Sequence, residues 1–455
     1  MALRVPSLES ALGIEIYASS ARGIHGRIRS RPEDFVVEEV LTDGSRASVQ
    51  PSSEKHPPLG HGRYLICVLI KKGWDTLVVV TNIADQIGVS PERISIAGMK
   101  DTRALTAQHI SIGGVPPDKV LKVDLENVIV DPTRFSSEKI SPKLLFGNQF
   151  NITIDSVGLS PRTVQRRIER IREELTDLGG IPNFFGHQRF GTVRPITHRV
   201  GRCLVKENFE EAALIFLSEP SPYEYPRARR ARRRLKETQD YRSGLKIFPR
   251  RFIYERLMLK HLSKNPKDFP GAFRRLPTKL RRLFVQAYQS YLFNRFLSER
   301  MKRGIPIGKP QIGDYVVSLD EIGLPTFDSN KAVRSNIPEI RQKIRERKMA
   351  VALPLIGYKQ SPSDGIQGGI EEEILEEEGT EPTDFRIQKM PEASAPGVLR
   401  RSLAPILDLI IKDGERSTRQ DELSIKFSFG LHRGSYATVV LREFMKPEDL
   451  VKAGF

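Results

Sequence analysis

Strand-like runs near both ends of the sequence, held apart by a long helical and basic middle, constrain the fold more than any other feature. Arg27-Ile28-Arg29, Phe35 to Val40 and Tyr64 to Ile70 are β-type runs near the N-terminus. The third is apolar without alternation, which suits the centre of a sheet. Ile425 to Phe429 and Tyr436 to Leu441 read as strands able to pair with that N-terminal sheet. Asp75 is a good N-cap for a helix from Thr76 to Ile87, with Leu77, Val80, Ile83 and Ile87 on one face and Gly88 as its stop. Pro161 to Leu175 predicts a second helix carrying Arg166, Arg167, Arg170 and Arg172 on its polar surface. Phe284 to Arg303 predicts an amphipathic helix whose Phe284, Tyr288, Tyr291, Leu292 and Phe296 face a core. Asp43 to Gly60 is a loop by composition, Pro362 to Gly369 is turn-like, and the acidic stretch Glu371 to Glu378 reads as solvated surface. No internal repeat is present. The simplest architecture is one α+β domain split by an insert of roughly 200 residues, entered near Pro182 and left around Pro391 to Arg401.

The charge balance narrows the partners. The 455 residues carry a net charge of +17, which suggests an extended anionic partner such as nucleic acid. The two cysteines, Cys67 and Cys203, argue against a disulfide framework or a zinc site, and Cys67 falls inside an apolar strand run. The eight histidines are scattered, and His187, His198 and His432 lack a metal-ligand spacing. There is no Walker-type loop and no dinucleotide fingerprint. No stretch approaches the roughly 20 apolar residues of a membrane helix. Met1 to Leu12 lacks the basic start and apolar core of a secretory signal. The reading is a cytoplasmic chain that needs neither metal nor cofactor.

One segment carries reactive chemistry. Ala97-Gly98-Met99-Lys100-Asp101-Thr102-Arg103 follows a short apolar run, and Thr106 to Ile112 then alternates as a strand. Gly98 lets the backbone bend where the run ends. Asp101 is therefore expected on a tight loop between two strands, flanked by Lys100 and Arg103, whose charges favour its ionised form. A loop aspartate in a structural ion pair is the alternative.

The segment also resembles the signature of the TruD family of tRNA pseudouridine synthases, Gly-x-Lys-Asp followed by Ala-x-Thr-x-Gln, here Gly98, Lys100 and Asp101 with Ala104, Thr106 and Gln108. Four more blocks agree in the family's order: Arg31-Pro32-Glu33-Asp34-Phe35 through Glu39, Gly147-Asn148-Gln149-Phe150, Pro182-Asn183-Phe184-Phe185-Gly186-His187-Gln188-Arg189-Phe190-Gly191, and Gly434-Ser435-Tyr436-Ala437-Thr438 with Arg442-Glu443. The resemblance implies a pseudouridine-synthase-type α+β catalytic domain with a mixed or antiparallel sheet, residues 1–181 and 399–455, interrupted by an inserted α/β domain, residues 182–398. It implies isomerisation of uridine to pseudouridine, at tRNA position 13 in the family's usual case, without a cofactor. Asp101 is then the catalytic carboxylate, either attacking the anomeric carbon or removing the ribose 2′ proton. Lys100 and Asn148 support it, and Phe35 and Phe150 are candidate stacking surfaces for a flipped base.

RNA contacts are sought among the cations. Arg227 to Lys236 packs seven cations into ten residues, a density suited to phosphate, and Arg229, Arg230, Arg232 and Arg233 are its candidates. Arg29, Arg103, Gln188 and Arg189 are further ones, and the pairs Arg281-Arg282 and Arg400-Arg401 are placed along a presumed cleft. The block from Asn183 to Gly191 reads mainly as a packed hinge. Two other functions remain open: a non-catalytic RNA-binding protein on the same scaffold, and a carboxylate hydrolase, which usually needs a second acid. The partner expected is tRNA, with no membrane, metal or protein partner.

Overall fold

The computed structural model describes residues 3–50, 57–413 and 423–455. Part of the expected loop Asp43 to Gly60, residues 51–56, lies outside them. The chain forms two compact units: residues 21–173, 404–447 and 452–455 make one, and residues 1–20, 174–403 and 448–451 the other. The sequence reading divides the chain at 181/182 and 398/399, and it leaves residues 1–20 with the first part.

The first unit is built on one sheet. Its strands are β1 (Phe35–Leu41), β2 (Tyr64–Lys72), β3 (Ile94–Ile96), β4 (Leu105–Gly113), β5 (Val128–Ser136), β6 (Leu145–Val157), β7 (Leu407–Asp413) and β8 (Leu423–His432). Their order is β7-β8-β6-β1-β4-β2-β5, with β3 beside β4. Only β1 and β4 run parallel; the other neighbours are antiparallel. β2 lies next to the edge strand β5 and is paired on both sides, so its unbroken apolar run sits inside the sheet, though not at its centre. Helix α1 (Thr76–Ile87) starts where Asp75 accepts the amides of Leu77 and Val78 and stops at Gly88, which has φ +71°. Val79, Val80, Ile83, Ala84 and Ile87 of α1 pack on Cys67, Leu69, Ile110 and Ile112 of the sheet. Leu77, expected on that face, is instead exposed. Helix α2 (Pro161–Leu178) keeps Arg166, Arg170 and Arg172 exposed, while Arg167 donates to the carbonyl of Gly23 at 2.6 Å.

β8 pairs with β6 as expected, but Tyr436 to Leu441 is not a strand. Ala437–Met445 is a helix, and each of its residues is buried. A helix hidden on every side shows no 3.6-residue polar period, so its β-branched run mimics a strand.

In the second unit, strands Val398–Arg401, Met349–Leu355, Tyr315–Leu319 and Pro325–Lys331 form an antiparallel sheet in that order. The helices that matter below are α3 (Thr197–Val205), α4 (Phe209–Ser218), α5 (Pro226–Thr238), α6 (Ile253–Leu262), α7 (Thr278–Lys302) and α8 (Gly365–Glu377). The aromatic stripe of α7 is core: Phe284, Tyr288, Leu292 and Phe296 are buried, and the Tyr288 hydroxyl bonds Thr380 at 2.8 Å. The turn-like reading of Pro362 to Gly369 fails from Gly365 onward, where α8 begins. The solvated reading of the acidic stretch fails at Glu371, which is fully buried. Its carboxyl accepts from the Ser363 amide at 2.6 Å and from Gln367 at 2.8 Å, and burial pushes its pKa up to about 8. Arg300 of α7 forms a bidentate pair with Asp314, with both side chains excluded from solvent.

Candidate active site

Asp101 lies on the loop joining β3 to β4, as its flanking runs require. The loop is tied down at its backbone. Gln108 of β4 donates to the Gly98 carbonyl at 3.1 Å, and the Lys100 amide donates to the Thr76 hydroxyl at 3.0 Å. Lys71 of β2 donates its Nζ to the Asp101 carbonyl at 3.0 Å and to the Trp74 carbonyl at 2.8 Å. Burial draws the pKa of Lys71 down to about 8, with the Asp101 charge opposing it. Gly98 is not needed for the bend: its φ is not positive, and a Cβ there would meet only Leu145 at 3.9 Å.

The carboxylate itself is held on both oxygens. Oδ1 accepts the Arg103 amide at 2.9 Å, and Oδ2 accepts Arg29 Nη2 at 2.5 Å. The Asp101 side chain is 29% exposed and that of Arg29 only 5%. The acid thus faces solvent while its cation stays behind it. Arg29 Nη1 donates to the Gly454 carbonyl at 3.0 Å, and the guanidinium lies 3.9 Å from the centroid of the Phe35 ring. Burial lowers the pKa of Arg29 and Asp101 opposes that shift. Arg29 has φ +56°, a left-handed backbone that costs about 1–2 kcal/mol for a residue with a Cβ. That conformation is held where the side chain meets Asp101, a pattern typical of functional sites.

Sheet register brings the aromatic and amide candidates together. Val37 of β1 lies opposite Phe150 of β6, Glu39 opposite Asn148, and Phe150 opposite Phe429 of β8. Opposed residues share a face, and so do alternate residues along a strand. Phe35, Glu39, Asn148, Phe150 and Phe429 therefore share one face. Phe35 meets Phe150 edge-on at 6.4 Å, and Phe150 stacks on Phe429 at 5.5 Å. All three rings are buried. Asn148 Oδ1 is buried without a hydrogen bond among the described residues.

Several sequence expectations are corrected. Lys100 does not support Asp101. Its Nζ binds Glu39 Oε1 at 2.6 Å, with both side chains buried. Glu39 also accepts the His109 amide at 2.9 Å. Burial alone would raise its pKa, but His109 and Lys100 outweigh it and hold the carboxyl below 4.5. Arg29 is not placed as an RNA contact, because its guanidinium is committed to Asp101 and Gly454. Arg232 is not one either. It is buried between Glu224 and Glu255, at 2.6 Å from each, and donates to the carbonyls of Phe216 and Leu217. Arg281 pairs with Glu392, and Arg400 donates to Asn183 and stacks on Phe185 at 4.0 Å. Both side chains are engaged in packing within the second unit. The remaining candidates reach the surface: Arg103, Gln188, Arg230 and Arg233 are exposed, and Arg229 is half-buried. Arg189 is half-buried and donates to Ser290 and Gln286 at 3.2 Å. Phe184, Phe190 and His187 are buried, so their block is largely packing.

The Glu39 ion pair carries a stability prediction. Removing one member of a buried pair strands the other, which costs about 3–5 kcal/mol. Glu39→Ala is expected to lower the unfolding free energy by that order in urea denaturation at pH 7. The folded pKa of Glu39 lies below its ordinary 4.5. Its stabilisation is therefore complete above about pH 4.5 and is lost as pH falls through the folded value. The gap between wild type and variant must narrow only in that acid range; a gap that is constant down to pH 3 contradicts the assignment.

Comparison with known proteins agrees with this architecture. Residues 11–444 match the sequence model of the family TruD, tRNA pseudouridine synthase D. A relative from Methanosarcina mazei named "Probable tRNA pseudouridine synthase D" is 37% identical over 98% of this chain and 99% of its own. One of the same name from Methanopyrus kandleri is 40% identical over 86% of this chain and 88% of its own. A crystal structure from Methanosarcina mazei, provisionally named tRNA pseudouridine synthase D (TruD), superposes with a TM-score of 0.81 at 36% identity. That match covers 98% of this chain and 99% of the other.

Proposed function

The chain belongs to the TruD family of tRNA pseudouridine synthases, and from that premise we propose that it isomerises uridine to pseudouridine at position 13 of tRNA, with Asp101 as the catalytic carboxylate. The reaction breaks the bond between N1 and C1′ and forms one between C5 and C1′. The C5 proton is lost and N1 regains one, so there is no net redox change. The uridine must first leave the stack, because an enzyme cannot reach its sugar inside a helix. Asp101 then either attacks C1′ to form an ester or takes the 2′ proton to give a glycal. Arg29 holds the carboxylate in place. Asn148, with an unpartnered acceptor, is the group suited to a base N–H. Phe35 is covered by Arg29 and Phe150 by Phe429, so these rings form the apolar wall beneath the base more readily than a free stacking platform. The surface cations of α5 bind phosphate.

The observation that carries this reading is the solvent-facing carboxylate of Asp101 backed by a buried guanidinium. A pure RNA binder gains nothing from an acid displayed to a polyanion. The test is to incubate the protein with an unmodified tRNA transcript and map alkali-resistant carbodiimide adducts. A single new adduct at position 13 is expected. An adduct elsewhere overturns the position, and tRNA that is bound but never altered favours the non-catalytic RNA binder.

A further inference from the structure

The second unit contains a cavity of about 470 Å³ whose lining includes Phe216, Tyr225, Arg251, Phe252 and Phe284. Its size is within the range of small-ligand sites, about 300–1,000 Å³. The cavity is framed by the segment before α3, the end of α4, α5, the entry to α6, and α7.

Its chemistry is unusual for packing space. Arg194 and Arg232 line it together with Glu224. Arg194 lies 3.9 Å from both Glu224 and Glu255, and Arg232 is 2.6 Å from each. Two arginines against two glutamates leave the floor electrically balanced. Glu224 Oε2 is buried and accepts no hydrogen bond among the described residues, so the wall holds an unused acceptor. Arg251 is the surplus charge. It is exposed, it has no ion pair among the described residues, and its guanidinium lies 5.0 Å from the Tyr225 ring and 5.6 Å from that of Phe252. Tyr225 is 60% exposed. Arg227, Arg230, Arg233 and Arg234 of α5 are also exposed, without ion pairs among the described residues.

We propose that this cavity takes one unstacked nucleotide of the RNA substrate. Aromatic walls suit the faces of a base, and the surplus cation beside Tyr225 suits its phosphate. The row of α5 arginines carries the neighbouring phosphates. A simple anion would not need the rings, and an apolar side chain would not need Arg251. The inference rests on the reading of the chain as a tRNA-modifying enzyme, and it assigns to the second unit a nucleotide other than the one that reacts.

Two variants test it. Val193 lines the cavity and is 44% exposed, so Val193→Trp fills the space without breaking a buried pair; Arg251→Ala removes the free cation. Each is expected to weaken binding of unmodified tRNA about tenfold, the scale of one lost base stack. With tRNA carrying 4-thiouridine, the wild type is expected to give a photo-adduct on the peptide containing Tyr225, and Val193→Trp is expected to lose it. If both variants bind like wild type and no adduct maps to Tyr225 while the wild type modifies tRNA, this proposal fails and the function stands. If the wild type forms the adduct but no pseudouridine, the function reading fails and the nucleotide site stands. Adenosine monophosphate is the control ligand. If it binds at Tyr225 and Val193→Trp abolishes that binding with no change in tRNA affinity, the cavity belongs to a free nucleotide and the RNA assignment is overturned.

Discussion

Asp101→Asn is expected to abolish uridine isomerisation and to leave tRNA binding intact. The amide keeps the carboxylate's shape, and its carbonyl oxygen can still accept the Arg103 amide. What it loses is the charge and the basicity, which both candidate routes require. Removing a nucleophile or base of this kind costs about 10⁴-fold or more in rate. The substitution also leaves Arg29 without its counter-charge. A hydrogen bond to a charged group is worth about 1.5–3 kcal/mol, so the variant is expected to be less stable by an amount of that order. Activity must therefore be compared at a temperature where circular dichroism shows both proteins folded. Binding is measured separately, by titration of labelled tRNA. A folded Asp101→Asn protein that still converts uridine to its carbon-linked isomer refutes the role of Asp101. A folded variant that no longer binds tRNA would make the residue a binding group.

The site was legible in sequence where its signals were local, and illegible where they depended on long-range pairing. The segment from β2 through α1 to β4 was readable because Asp75 and Gly88 mark the helix ends within a few residues of what they cap. The alternation after Asp101 likewise marks β4. The family motifs singled out Asp101, Asn148, Phe35 and Phe150, and sheet register places the last three on one face. Phe429 was missed because only the pairing of β8 with β6 brings it onto Phe150. Its signal was present in the alternation of Phe427 and Phe429, but alternation does not specify a partner strand. Lys100 misled because adjacency in sequence was taken for adjacency in space. On the loop between β3 and β4 the two neighbours diverge: Lys100 turns to Glu39 while Asp101 turns to Arg29. Glu39 could have been found, since it lies four residues from Phe35 on the same strand face. Glu371 and Arg232 failed for one reason. The acidic run reads as solvated and the basic run as phosphate-binding, both at the surface, yet one member of each turns inward where Ser363 and Gln367, or Glu224 and Glu255, satisfy it.

Arg29 decides between two readings of one residue. As an RNA contact, its loss would raise KM and reduce the salt slope of binding by about one. As the partner of Asp101, its loss acts on the chemical step. The structure favours the second: a guanidinium 5% exposed, bonded to Asp101 at 2.5 Å and pinned by Gly454, has no surface left for a phosphate. Removing one preorganised charged donor costs about 10²–10³ in kcat, and that fall is expected for Arg29→Ala, with the salt dependence of tRNA binding unchanged. Arg29→Lys keeps the charge but loses the fork that reaches Asp101 and the Gly454 carbonyl together. It is expected to recover part of the rate and none of the rigidity. The alanine variant still carries a Cβ at φ +56°, so it keeps the backbone strain while losing the contacts that offset it. Its kcat loss is therefore expected to come with lower thermal stability, and the lysine variant falls between the two on both measures. A flatter salt slope with kcat preserved would return Arg29 to the RNA surface and leave the partly exposed carboxylate of Asp101 without the cation proposed to position it.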